Sequence, residues 1–278
     1  MNRLTSVTTV VELVWSVAGT RRKSARDVVA QACASLTNQV DPPWETGMLS
    51  PPYVIAHRGA SGSAPENTLR SYELAFEMGA QMFELDVQES QDGSLVCIHD
   101  YEVDRTTNGT GAVSEMNIEE LRALDAGQGE RIPLLSEALD LARGRMLVNI
   151  ELKVLDVEAR VLELVRERRM TEDVLISSFF HDTLVVVREL DESVRTAALV
   201  SEEEEDPLGL AVGLSVNAIN PYFGLATLEF VNEAHDRGLS VYPWTVNHED
   251  TMTELIALGV DGIITDYPEV CLDIIRTI

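Results

Sequence analysis

The stretch YVIAHRGASGSAPENT, residues 53–68, opens as an apolar strand and changes character at His57. His57 and Arg58 set an imidazole and a guanidinium side by side, and Gly59 begins a loop of small residues. Other apolar runs end in the same way. FELDV carries Glu84 and Asp86, NIELK carries Glu151 and Lys153, and VCIHD delivers His99. Residues two apart on a strand point to the same side, so each pair faces one space. Three carboxylates in one interior repel strongly unless something positive lies among them. An oxygen-only donor set suits a hard divalent cation, Mg²⁺ or Ca²⁺, better than zinc. The competing reading is an ion-pair network in which Arg58 and Lys153 supply the positive charge without a metal. Imidazole changes charge near neutral pH, so His57 and His99 could act as base and acid around a metal-held phosphate.

These residues need a scaffold that gathers strand ends. From residue 53 onward, strand-like runs fall at 53–56, 82–87, 94–98, 146–152, 173–178, 194–200, 216–220, 239–244 and 260–265. Helical patterns fall between them at 67–79, 134–143, 156–169, 181–190, 206–213, 225–237, 249–258 and 267–276. Asp92-Gly93 reads as a hairpin turn, making 94–98 the return of 82–87 and not a separate stave. Eight strands alternating with eight helices then predict an α/β fold, a (β/α)8 TIM barrel, whose active sites lie at the C-terminal strand ends. A doubly wound open sheet is the alternative, but GASG lacks the glycine spacing of a dinucleotide loop. Residues 100–132 are too long for an ordinary connection and predict a small insertion above the mouth. Residues 1–50 form an N-terminal extension, expected to be helical and given no activity, ahead of a barrel over 51–278.

The same mouth receives Trp244 and Asn247 from YPWTVN, and Asp266 from IITD. Trp244 can be core or the wall of a pocket. His181, His235 and His248 read as ordinary capping or exposed histidines. SEEEED at 201–206 reads as a solvated helix N-terminus, where acids suit the dipole, and DRTTNGTG at 104–111 as a polar turn.

Composition narrows the partners. The 278 residues carry 47 acidic against 21 basic side chains, a net charge of −26, and the only lysines are Lys23 and Lys153. Such a surface repels nucleic acid and anionic lipid, and fits a high-salt cytoplasm in which dense charge is screened. No apolar run approaches the roughly 20 residues of a membrane span. Cys33, Cys97 and Cys271 are widely spaced and predict a reducing compartment. VTTVVELVW is interrupted by Glu12 and followed by GTRRKSARD, which is unlike an export signal, so a cytoplasmic location is expected.

Taken in order, HRGASGSAPENT, FELDVQESQDGSLVCIHD, DRTTNGTG, IELK, PWTVN and GVDGIITDYPE resemble the glycerophosphodiester phosphodiesterase family across residues 53–278. The resemblance implies a TIM barrel with an insertion after its second strand, and hydrolysis of a glycerophosphodiester to an alcohol and glycerol phosphate. It implies His57 and His99 as catalytic, with His57 favoured as base and the two roles exchangeable. It implies Glu84, Asp86 and Glu151 as metal ligands, Arg58 and Lys153 as phosphate-facing cations, and Trp244 as an aromatic near the glycerol end. The partner expected is a small-molecule glycerophosphodiester. Two alternatives stand beside it: a phospholipase D-like hydrolase of lysophospholipids or sphingolipids, which would want an apolar mouth, and a non-catalytic barrel that binds glycerophosphodiesters.

Overall fold

The computed structural model describes residues 52–277; the expected helical extension over 1–50 lies outside the described residues. The chain runs β1 (Tyr53–Ala56), α1 (Leu69–Met78), β2 (Met82–Glu89), β3 (Leu95–Cys97), α2 (Ile118–Arg122), α3 (Leu135–Ala142) and β4 (Leu147–Leu152). It continues α4 (Glu158–Glu167), β5 (Val174–Ser178), α5 (His181–Leu190), β6 (Arg195–Val200), α6 (Pro207–Gly213) and β7 (Ala218–Pro221). It ends α7 (Leu228–Asp236), β8 (Ser240–Val241), α8 (Glu249–Leu258), β9 (Gly262–Thr265) and α9 (Pro268–Thr277).

The strands pair in the order β8-β7-β6-β5-β4-β2-β1-β9, and β3 turns back on β2. The β2–β3 pair is antiparallel, with Val87 opposite Cys97, so the Asp92-Gly93 hairpin is as expected. Between β8 and β9 the ring closes through backbone bonds: Asp261 to Val241 at 3.0 Å, Ile264 to Pro243 at 3.0 Å, and Val246 to Ile264 at 2.9 Å. The strand expected over 239–244 is regular only at Ser240–Val241. Pro243 has no N–H to continue the ladder, although Trp244 N–H still reaches Pro221 O at 3.0 Å.

Strand period two sorts the interior into layers. Ile55, Met82, Leu147, Leu175, Ala197, Ala218, Tyr242 and Ile264 form one apolar cluster, with a residue from or beside each parallel strand. Two positions further along the same strands come His57, Glu84, Asn149, Ser177, Leu199, Asn220, Trp244 and Asp266. The floor is therefore dry and the layer above it is mostly polar. Outside the barrel, helices bury their apolar faces on the strands; Tyr72 of α1 stacks on Phe83 of β2 with ring centroids 4.4 Å apart. The insertion has its own small core, in which Val103, Val113 and Leu121 are fully buried beside Ile98 and Ile132.

The β1–α1 connection is held by two local devices. Thr68 caps α1, its hydroxyl accepting from Ser71 N–H at 3.2 Å. Gly59 takes a left-handed φ of +79°, and a Cβ there would lie 2.4 Å from Ser71 Oγ and 2.6 Å from Ser71 carbonyl carbon. Gly59→Ala is therefore expected to destabilise the fold by about 2–4 kcal/mol, combining strain and overlap. A urea titration checks this, and an unchanged midpoint would show that the turn relaxes without loss.

Candidate active site

The turn after β1 aims two side chains inward. His57 N–H is held by Thr265 O at 2.8 Å, and its Nδ1 lies 2.6 Å from Asp266 Oδ1. An ionised carboxylate can only accept, so Nδ1 carries the proton and Nε2 is left for chemistry. Asp266 is itself fixed by Asn247 Nδ2 at 2.6 Å and Ser61 Oγ at 2.9 Å. Against the cost of burial, these donors and His57 bring the Asp266 carboxyl down to about 2. Arg58 adopts a left-handed φ of 55°. Its N–H donates to Glu84 Oε2 at 2.9 Å, while its guanidinium meets Glu66 at 2.8 Å and Asp86 at 3.2 Å.

Glu84 and Asp86 project from β2 and Glu151 from β4, where Asp86 stands directly opposite Glu151 in register. All three are buried, and each offers an oxygen within 4.8 Å of the others. Lys153 Nζ lies 2.8 Å from Glu151 and 3.8 Å from Asp86. Burial, then repulsion from Asp86 and Glu151, pushes the Glu84 carboxyl well above the usual carboxylate range. Burial and Asp86 raise Glu151 to about 7 against the pull of Lys153. Burial opposes the charge on Lys153, but Glu151 and Asp86 outweigh it and raise its pKa. Glu84 Oε1 and Asp86 Oδ1 are buried without a hydrogen-bond partner. Buried carboxylate oxygens without donors are costly, and a hard divalent cation is the group that would satisfy them together. The donor set therefore fits such an ion.

Asp86 is oriented from behind. Asn67 Nδ2 donates to Asp86 Oδ2 at 2.7 Å, and Asn67 Oδ1 accepts from Tyr72 OH at 3.0 Å. Asn67 takes φ 52°, a conformation asparagine tolerates better than most side chains. The PENT segment thus serves two ends: Glu66 and Asn67 point to the site, and Thr68 starts the helix.

His99 follows β3. Its Nδ1 lies 2.6 Å from Asp100 Oδ1, the same arrangement as His57 with Asp266. Burial, with help from Arg58 and Lys153, lowers the His99 pKa despite Asp86 and Asp100. Gln88 holds the backbone here by donating to the carbonyls of His99 at 2.9 Å and Asp100 at 2.5 Å. Arg105, from the insertion, bonds both Asp100 and Glu66. Hydrogen bonding to Arg105, then to His99, holds Asp100 well below the usual carboxylate range.

One pocket collects these groups: it is lined by His57, Arg58, Glu84, His99, Glu151 and Lys153, and by the apolar Phe179, Leu199, Trp244 and Ile264. Trp244 donates its indole N–H to Asn220 O at 2.8 Å and meets Phe179 edge-on at 5.4 Å between centroids. The residues singled out from the sequence for catalysis, phosphate or metal line this pocket except Asp86, which is fully buried and adjoins it through Glu84, Glu151, Arg58 and Lys153. Sequence reasoning missed the residues that orient them: Glu66, Asn67, Asp100 and Arg105. The signal available was weak, a polar residue next to a named one, since nothing local reveals which partner a side chain will meet. The other histidines and the acidic stretch lie elsewhere, and His181 is half-buried and not a cap. His181 bonds Leu199 O at 2.8 Å, His235 pairs with Asp261 at 2.9 Å, and Asp206 caps α6 through Gly209 N–H at 2.9 Å.

Comparison with known proteins places this geometry. The profile of the glycerophosphoryl diester phosphodiesterase family matches residues 57–270. A glycerophosphodiester phosphodiesterase of Caldanaerobacter subterraneus subsp. tengcongensis is 39% identical over 236 residues, 80% of this chain and 97% of the relative. One from Bacillus altitudinis is 35% identical over 232 residues, 78% of this chain and 95% of the relative. The solved structure of an Oleispira antarctica phosphodiesterase in complex with the product sn-glycerol-3-phosphate superposes with a TM-score of 0.74 at 32% identity. That match covers 81% of this chain and 97% of the other. No helix among the described residues is long and apolar enough to cross a membrane. With a profile match over most of its length and relatives above 30% identity along almost their whole length, the chain belongs to the glycerophosphoryl diester phosphodiesterase family.

Proposed function

We propose that this barrel hydrolyses small glycerophosphodiesters to an alcohol and glycerol phosphate, with His57 as general base and His99 as general acid. The observation that carries the reading is a single pocket lined by two Nδ1-anchored histidines and two cations, beside a buried carboxylate cluster with two oxygens that lack a hydrogen-bond partner. Glu84, Asp86 and Glu151 would hold a Mg²⁺ or Ca²⁺ ion, which when bound supplies positive charge for the nonbridging phosphate oxygens. Arg58 and Lys153 add fixed positive charge on the same oxygens. His57 Nε2 takes the proton of the glycerol 2-hydroxyl as that oxygen attacks phosphorus. Protonated His99 gives a proton from Nε2 to the departing alcohol oxygen; water then opens the cyclic phosphate, losing a proton to His99 while His57 returns one to the leaving 2-oxygen. Attack from within the same molecule gains from proximity.

The division of labour follows from the carboxylates. Asp266 is held by neutral donors besides His57, so its charge remains to stabilise an imidazolium. Asp100 is already paired with Arg105, and offers His99 less. This difference in partners is what assigns the base role to His57 and the acid role to His99 in this reading. Phe179, Leu199 and Trp244 give the glycerol skeleton an apolar wall. The relative crystallised with sn-glycerol-3-phosphate supports a substrate of this size. The test is turnover across a panel of glycerophosphodiesters, with a lysophospholipid and a sphingolipid as further arms, each with and without chelator. Turnover of the lipids alone would favour the phospholipase D-like alternative, and binding without turnover the non-catalytic one.

The acidic surface adds a prediction. At a net charge of −26 the fold repels itself and its anionic substrate. Arg58 and Lys153, together with a divalent cation held by Glu84, Asp86 and Glu151, would form a positive well inside that shell. Salt screens the shell over about 10 Å at 0.1 M and screens the buried well less. KCl is expected to raise both the melting temperature and kcat/KM from low to molar concentration at fixed metal. A monotonic fall of both would remove the high-salt reading of the composition.

A further inference from the structure

Arg105 is exposed, yet it makes four hydrogen bonds to two carboxylates that reach into the site. Its Nη1 donates to Glu66 Oε2 at 2.7 Å and its Nη2 to Glu66 Oε1 at 2.8 Å. Its Nε donates to Asp100 Oδ2 at 2.6 Å and its Nη2 to Asp100 Oδ1 at 3.1 Å. Each carboxylate passes the constraint inward. Glu66 Oε1 also accepts from Arg58 Nη1 at 2.8 Å, and Asp100 Oδ1 also accepts from His99 Nδ1 at 2.6 Å.

We propose that Arg105 is a positioning residue that ties the His99 ring and the Arg58 guanidinium into one unit, through Asp100 and Glu66. The proposal rests on the reading of His99 and Arg58 given above. A forked guanidinium can satisfy two carboxylates at once, whereas an ammonium is a single point charge. Without it, two like-charged carboxylates would face each other and turn away. His99 would then lose the partner that fixes its tautomer, and Glu66 would be free to draw Arg58 off the phosphate.

A role in stability alone is a poor account of this arrangement. Exposed ion pairs add about 0–1 kcal/mol, and the Arg105 side chain is 49% exposed against 15% for Arg58. The backbones concerned are held by other means. Gln88 bonds the carbonyls at 99 and 100 from the strand side. Val103, two residues before Arg105, is fully buried in the insertion core and bonds Gly111 O at 2.9 Å. The insertion therefore carries Arg105 to the mouth on a fixed backbone, and what Arg105 decides is the aim of its neighbours.

Steady-state kinetics of Arg105→Ala and Arg105→Lys, in the unchanged chain and in His99→Ala, test this. Arg105→Ala is expected to lower kcat about 10- to 100-fold, the scale of a small misplacement of reacting groups, and to raise KM through Arg58. Its melting temperature should stay within a few degrees of the unchanged chain, as expected for an exposed pair. Arg105→Lys should recover little. In His99→Ala the kcat effect of Arg105→Ala should shrink below about threefold, because coupled residues are not additive, while the KM effect persists. An equal kcat loss in both backgrounds, or full recovery by lysine, would overturn the proposal. So would unchanged kinetics of Arg105→Ala beside an impaired His99→Ala. Unchanged kinetics of His99→Ala would instead overturn the catalytic reading on which it rests.

Discussion

His57→Ala and His99→Ala are each expected to lower kcat about 10²–10⁴-fold, the scale of a lost general acid or base. The two losses should separate by leaving group. Ordinary alkoxide departure needs a proton, so His99→Ala should be severe with a glycerophosphodiester of a simple alcohol. A nitrophenolate leaves without one, and that substrate should restore most of the His99→Ala rate. His57→Ala should not recover, because the attacking hydroxyl must still lose its proton. Melting curves should move little compared with the kinetics. Each ring is anchored by one carboxylate, and both carboxylates keep other donors when the ring is removed: Asn247 and Ser61 for Asp266, Arg105 for Asp100. Rescue of His57→Ala alone would exchange the roles, and equal rescue of both would refute a division of labour.

Removal of divalent metal is expected to abolish turnover, and Mg²⁺ or Ca²⁺ to restore it. The physical reason is the charge at the bottom of the site: Glu84, Asp86 and Glu151 are all buried and mutually close, and neither Glu84 Oε1 nor Asp86 Oδ1 has a hydrogen-bond partner. Metal should also raise the melting temperature, since a ligand at 100 times its Kd stabilises by about 2.7 kcal/mol. Glu84→Gln separates binding from folding. It hardly changes volume and keeps a side-chain oxygen for Arg58 N–H, the bond made at 2.9 Å. It also removes one of three repelling charges. The metal-free variant should therefore melt no lower than the unchanged chain, while the metal-induced shift and the activity fall together. Full activity in metal-free protein would sink the metal assignment, and a variant that fails to fold would place Glu84 in the architecture instead.

The barrel was legible because its determinants are local. Alternating apolar runs and amphipathic segments specify strands and helices, and right-handed connection leaves few ways to assemble them. The site residues were legible for a related reason. A strand has period two, so Glu84 with Asp86 and Glu151 with Lys153 must share a face, and a barrel must gather strand ends at one mouth. What the sequence alone left open was pairing across distance. Asp266 lies 209 positions from His57 and meets it at 2.6 Å. Arg105 lies 39 positions from Glu66, in a segment that reads as a polar turn, yet its guanidinium spans the two carboxylates that serve His99 and Arg58. Strand 239–244 was likewise decided by closure: Pro243 ends the regular ladder, and the chain still seals the ring through Pro243 O and Val246 N–H. Backbone periodicity determines which face a side chain takes. Only the closed tertiary structure determines which carboxylate stands behind which histidine, because that depends on where loops from separate strands converge.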